Sequence, residues 1–309
     1  MSKEVRRAAE ILRAGGLVAF PTETVYGLGA DATSEKAMAR LYAVKGRPAD
    51  HPVIVHFSSA EKAFEWGEEI PESARKLAQQ FWPGPLTLIL KRNEKAGDFV
   101  TGGQPSVGVR VPSHPVAREL LKEFGKPIGA PSANRFGRVS PTTAAHVHED
   151  LGADVDLVLE GGASEVGIES TIVDLSGGGA VLMRPGTISK ADLEKIVALR
   201  KAEVSQRHSG GMEKHYAPKT PARLVPTHDL DREISQLKAR AAVLAFSRPD
   251  ERVDFWLRMP REPAVYAQKL YAALRELDSA KCDAILIEAP PAEPGWEAVL
   301  DRLRKATAS

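Results

Sequence analysis

The chain has 309 residues, a length that favours two domains over a single core. Its 43% hydrophobic and 27% charged content is that of a globular protein and excludes disordered and collagen-like classes. Lys+Arg 42 against Asp+Glu 41 leaves a formal charge of +1, so no global positive field marks the chain for nucleic acid or anionic membranes. The single Cys282 cannot close an intramolecular disulfide, and the N-terminal stretch lacks the apolar core of a secretory signal. No apolar run approaches the roughly 18 residues of a membrane span. These features predict a cytoplasmic protein with no membrane partner.

Helical periodicity from Lys3 to Ala14 stops at Gly15-Gly16, and LVAF at 17–20 reads as a buried strand closed by Pro21. Ser34 predicts an N-capped helix ending near Gly46, followed by a strand in PVIVHF from Pro52. Further strands are predicted at 86–90, 107–111, 155–160, 170–175 and 180–184. The last two are joined by Ser176-Gly177-Gly178-Gly179, too short for a crossover helix, which predicts a hairpin in a mixed sheet. A helix is predicted from Lys190 to Arg200. After it, polar, Gly and Pro residues replace apolar periodicity, marking a linker at 201–221 between a domain at 1–200 and another at 222–309. The last segment alternates strand and helix: ARLVP, a helix at 229–240, AAVLAF, a helix at 263–277, AILIEA and a helix at 295–304. That pattern predicts a smaller Rossmann-like α/β domain.

The residues that could carry chemistry lie mostly in the first domain. PTETVYGLGADA supplies hydroxyls at Thr22, Thr24 and Tyr26, and alternation would put them on one face; a turn with capping threonines is the competing reading. Gly27 to Ala32 also fits G-x-G-x-x-A, but six residues, PTETV plus Tyr26, separate it from the strand, so a dinucleotide fingerprint fails on context. Lys45 and Arg47 flank a helix end, suited to a multiply charged ligand or simply to the helix dipole. Arg110 sits inside an apolar strand and needs a partner, either a ligand or a buried acid. GAPSANRFGRVSPTT offers Ser132, Asn134, Ser140 and Thr142 among Arg135 and Arg138, and Arg184 ends its strand. No G-x-x-x-x-G-K-[ST], H-E-x-x-H, C-x-x-C or G-x-S-x-G string occurs. Cys282, just before an apolar strand, reads as packing.

PTETVYGLG, KGRP with VHF after it, FWPGPLT, VGVRVP, APSAN, ESTIVD and RPG, in this order, closely resemble the YrdC-like threonylcarbamoyl-AMP synthase family. HYAPKTP and the C-terminal α/β segment resemble its two-domain branch. The resemblance implies a twisted mixed sheet with flanking helices and the synthesis of threonylcarbamoyl-AMP and pyrophosphate from L-threonine, bicarbonate or CO2, and ATP. The product serves threonylcarbamoylation of the adenosine beside the anticodon of tRNA. Carried onto this chain, the family pattern puts L-threonine near Thr24, His56, Arg110, Ala130 and Ser170. It puts ATP near Lys45, Arg47, His51, Ser106, Ser132, Asn134, Ser140 and Arg184, with Lys45, Arg47 and Arg184 carrying the charge of the reaction. His51 and Ser106 depart from the more frequent Asn and Thr, which makes the His51 contact open to protonation.

The same resemblance implies Mg2+ arriving with ATP, a downstream tRNA threonylcarbamoyl transferase complex as partner, and a linker that closes as a lid with His215 and Tyr216 against ligand. Two rivals are an RNA-binding module using Arg135, Arg138 and Lys45, and carbamoyl transfer of the hydrogenase-maturation type. The latter needs zinc-finger cysteines that one Cys cannot supply.

Overall fold

The computed structural model describes residues 2–201 and 210–308. The part of the expected linker at 202–209 lies outside the described residues. Two compact units divide the chain, one from Met1–Phe136, Pro141–Glu165 and Glu169–Gly211, the other from Gly137–Ser140, Val166–Ile168 and Met212–Ser309.

The first unit opens with α1 (Lys3–Arg13), β1 (Val18–Phe20), β2 (Gly27–Asp31), α2 (Glu35–Lys45), β3 (Ile54–His56), α3 (Ala60–Phe64) and α4 (Glu72–Phe81). It continues with β4 (Leu86–Lys91), α5 (Asp98–Thr101), β5 (Ser106–Arg110), α6 (Pro115–Phe124), β6 (Ile128–Gly129) and α7 (Ala144–Leu151). β7 (Leu157–Val158), β8 (Thr171–Asp174), β9 (Ala180–Arg184), α8 (Lys190–Glu194) and β10 (Leu199–Arg200) complete it.

Local chemistry sets the helix ends. Ser2 caps α1 by accepting from the Val5 N–H, and Val5, Ala8, Ala9 and Leu12 form its buried stripe at helical spacing. Ser34 caps α2 in the same way. Gly46 ends it at φ 63, a left-handed conformation that glycine adopts without a Cβ clash.

The strands form one mixed sheet in the order β10-β9-β8-β4-β5-β3-β6-β2-β1-β7. β3 and β5 are parallel, as are β4 and β8; β4 and β5 are antiparallel, and β8 and β9 form the expected antiparallel hairpin. Side chains alternate between the two faces. Val55, Leu88, Val109 and Val173 join the larger apolar cluster with Leu41 of α2, Leu77 of α4 and Val147 of α7. On the other face, Val18, Phe20, Ile128 and Ala130 pack against Leu12 of α1 and Leu120 of α6. Farther along that second face, the same alternation presents His56, Arg110 and Thr87.

The second unit contains β11 (Ala222–Val225), α9 (Leu230–Gln236), β12 (Ala241–Ala245), β13 (Phe255–Arg258), α10 (Pro263–Ser279), β14 (Ala284–Glu288) and α11 (Glu297–Ala306). Its four strands are all parallel, in the order β11-β14-β12-β13, the layered α/β arrangement expected, with β14 inserted between β11 and β12.

Several sequence expectations need correction. The helix expected at 190–200 stops at Glu194, because Leu199 and Arg200 pair in parallel with Ala180 and Val181 and extend the sheet instead. The helix expected at 229–240 ends at Gln236, where Leu237 turns extended. The strand expected at 155–160 shrinks to Leu157–Val158. Gly27–Asp31 forms β2, antiparallel to β1. Gly29 is there for close packing: a Cβ would come within 2.8 Å of Ile128 and 2.9 Å of Phe20. β13 had no counterpart in the sequence reading; it is an edge strand paired only through β12.

Candidate functional site

Parallel pairing of β3 with β5 puts His56 directly beside Arg110 on one face. The Arg110 Nη2 donates to Glu23 Oε1 at 2.6 Å, and the Ser113 N–H donates to the other Glu23 oxygen at 3.0 Å. Both side chains of the Arg110–Glu23 pair are only 5% exposed. Burial raises the Glu23 pKa, but the Arg110 charge and these hydrogen bonds outweigh it, holding the carboxyl below its ordinary range. His56 is edge-on to Phe20, and its buried Nδ1 has no hydrogen-bond partner in the protein. Burial, reinforced by the Arg110 charge, pushes the imidazole down to about 3, so it is neutral at physiological pH.

Two strands away, the Ser170 hydroxyl lies 2.8 Å from Thr87 Oγ1. Arg184 grips Ser170 twice, with Nε donating to its carbonyl at 2.9 Å and Nη2 to its hydroxyl at 3.1 Å. Ala130 follows β6 and its N–H donates to the Ile54 carbonyl. The hydroxyls of Thr22 and Thr24 meet at 2.8 Å, whereas the Tyr26 hydroxyl donates to the Gly162 carbonyl, so the three do not share a face. Pro21–Tyr26 is a loop between β1 and β2, the turn reading of this string, and it carries Glu23 to Arg110.

A second cluster forms where α2 ends. Lys45 turns inward and donates from Nζ to the carbonyls of Ser132 and Asn134, both at 2.5 Å. Burial, with the nearby Arg47 charge, lowers its pKa well below that of an ordinary lysine. Arg47 donates to the Pro52 carbonyl at 2.7 Å and stacks over Phe136, 5.4 Å from the ring centre; His51 meets the same ring edge-on. The structure thus brings Arg47 and His51 to Phe136 and ties the Lys45 side chain to the Ser132 and Asn134 backbone.

Ser106 begins β5 while Arg110 ends it, about 13 Å away along the same face. Ser140, His215 and Tyr216 belong to the second unit. There Tyr216, at φ 59, stacks on Tyr271 with Arg302 over its ring, and His215 packs against it edge-on. Cys282 is buried, and burial pushes its thiol pKa up, as suits packing rather than nucleophilic attack.

Sequence reasoning missed Glu23, Thr87 and Phe136. Glu23 left a usable signal, an acid between two hydroxyl residues in a chain whose strand arginine needed a partner. Thr87 and Phe136 left none, since each acts only through a neighbour distant in sequence.

This fold, a twisted mixed sheet whose polar face carries Arg110 and Arg184, is an α/β architecture of the YrdC-like class. Residues 10–186 match the family described as Telomere recombination, and residues 188–308 match Threonylcarbamoyl-AMP synthase, C-terminal domain. The chain belongs to the threonylcarbamoyl-AMP synthase family. The threonylcarbamoyl-AMP synthase of Pyrococcus abyssi is 40% identical, the match covering 98% of this chain and 94% of that one. That of Bacillus subtilis is 37% identical, with 98% and 92% covered. The crystal structure of P. abyssi Sua5 complexed with L-threonine superimposes with a TM-score of 0.91 at 37% identity, covering 98% of this chain and 94% of that one.

Proposed function

We propose that the first unit joins L-threonine, bicarbonate and ATP into threonylcarbamoyl-AMP on the polar sheet face, with pyrophosphate as the second product. The observation that carries this reading is the gathering of His56, Arg110, Ser170 and Arg184 on one buried face, with an imidazole nitrogen left for a ligand. Two of the three Arg110 nitrogens are engaged, by Glu23 and Gly84, and Nη1 is the one we assign to the threonine carboxylate. Neutral His56 and the Ser170 hydroxyl read the amino-acid hydroxyl and the carbamate oxygens; Thr24 and Ala130 complete this pocket.

The threonine amine combines with bicarbonate to give a carbamate and water. A carbamate oxygen then attacks the α-phosphorus of ATP, and the bond to the β-phosphate oxygen breaks to release pyrophosphate. Arg184, Arg47 and Lys45 offset the charge at phosphorus, while His51, Ser106, Ser132 and Asn134 hold the nucleotide. Mg2+ enters as part of Mg·ATP. No group of three or more His, Cys, Asp or Glu suited to a metal occurs among the described residues, which favours phosphate and water as its ligands. The carbamate and the mixed anhydride both hydrolyse, so the site has to exclude water while they persist. The product passes to a tRNA threonylcarbamoyl transferase complex in the cytoplasm; no helix among the described residues is long and apolar enough to cross a membrane.

RNA binding by the same basic residues is disfavoured, because Lys45 turns inward and Arg135 pairs with Asp154. The test is mass-spectrometric detection of threonylcarbamoyl-AMP, with pyrophosphate release, in reactions lacking ATP, L-threonine or bicarbonate in turn. Product only when all three are present is the expected result. ATP binding without product from folded protein would overturn the reading.

A further inference from the structure

The second unit contains a cavity of about 400 Å³ lined by Phe246, Arg258, Met259, Arg261, Glu262 and Lys269. It opens beyond the carboxyl ends of β12 and β13 and beside the first turns of α10, the place where open parallel α/β sheets hold their ligands. Arg258, Arg261 and Lys269 set three cations against the carboxylate of Glu262 and the buried Glu288 behind Phe246, and none of the three makes an ion pair with a described residue. All three side chains are exposed, so solvent screens their mutual repulsion, and it is the net excess of positive charge in one concavity that favours an anion there.

The wall is built rather than incidental. The buried Glu288, at the end of β14, accepts the Phe246 N–H at 2.7 Å, which fixes the backbone whose carbonyl accepts Arg258 Nε at 3.2 Å. Phe246 is backed by Tyr266 and Trp296, with ring centres 5.7 and 5.9 Å away, and Arg261 lies 5.1 Å above its ring. A buried acid and an aromatic cluster therefore orient two arginines toward one space. Lys269, two turns into α10, also lines it.

We propose that this cavity is a second anion site, separate from the catalytic face, for a ligand bearing a multiply charged phosphate group. Free pyrophosphate and the phosphates of a nucleotide share that chemistry, and arginine forks with a flanking lysine suit both.

Equilibrium dialysis of the full chain with labelled inorganic pyrophosphate tests the proposal. Two sites per chain are expected in the parent, and Arg261→Glu/Lys269→Glu should weaken one of them by about tenfold or more while leaving the other unchanged. The retained site reports that the variant is folded. A single site in the parent, or two undiminished sites in the variant, overturns the proposal. Competition then separates the sources: AMP displacing pyrophosphate from the sensitive site points to a nucleotide, and failure to displace it points to the free anion. Displacement by adenosine as readily as by AMP would remove the phosphate from the argument and overturn it.

Discussion

Glu23 and Arg110, 87 residues apart in sequence, close a buried 2.6 Å ion pair on the polar face of the sheet. A buried pair of this kind adds little net stability as a pair, but removing one partner leaves the other charged and unsolvated. Glu23→Gln keeps the shape and deletes the charge. We expect it to destabilise the chain by about 3 kcal/mol in urea unfolding and to raise the KM for L-threonine more than that for ATP. Equal changes in both KM values would show that the pair does not position Arg110 for the amino acid.

The same pair sets an acid limit. Because the folded-state pKa of Glu23 is depressed, its contribution is present above the ordinary carboxylate value near 4.5 and is lost as pH falls through the folded value. The Glu23→Gln variant should therefore lose less stability than the parent between pH 5 and 3, read as a shallower fall in the urea midpoint.

His56 acts in a different window. Its folded pKa of about 3 lies below the ordinary 6.5, so the unfolded chain takes up a proton that the folded chain refuses as pH falls from 6.5 toward 3. Stability drops there by about 1.4 kcal/mol per pH unit from this group. Comparing His56→Gln with the parent between pH 6.5 and 5, above the range of the carboxylates, should show a flatter profile in the variant. A parallel profile would mean that His56 is protonated in the folded protein.

Lys45 gives the sharpest separation between the two substrates. Its ammonium ties the Ser132 and Asn134 carbonyls to the end of α2, so Lys45→Ala frees two acceptors and loosens the loop that carries the S-x-N pair. We expect kcat/KM for ATP to fall about 100-fold, equivalent to about 2.7 kcal/mol, with L-threonine affinity measured alone unchanged. Calorimetric titration of each ligand checks both halves.

What the sequence made legible followed the range of the interactions. The cap at Ser34, the glycine stop at Gly46 and the short connection between β8 and β9 are local, and each was readable from a few residues. β10 was hidden because Leu199 and Arg200 are strand only through pairing with β9, and β13 because it is an edge strand of four residues. In the site, charged and hydroxyl residues announced themselves singly. Their grouping did not, since the His56–Arg110 register, the Glu23 loop and the Thr87–Ser170 contact each join segments that only the folded sheet brings together.

Two glycines divide packing from function. A Cβ on Gly186 would lie 2.5 Å from the Thr171 backbone nitrogen and 2.6 Å from its hydroxyl, and that hydroxyl is already bonded to the Ile188 carbonyl. Backbone cannot yield cheaply there, so Gly186→Ala should destabilise by about 1–3 kcal/mol and lower kcat by shifting Ser170 and Arg184, which flank the contact. A Cβ on Gly108 meets only Ile54 and Thr87 at an ordinary 3.7 Å, so Gly108→Ala should fold with stability unchanged or raised by a few tenths of a kcal/mol. Its methyl group, however, stands on the face between Ser106 and Arg110. Loss of turnover in a fully stable Gly108→Ala protein would mark that face as the one the substrates occupy, and full turnover would place the reacting groups elsewhere.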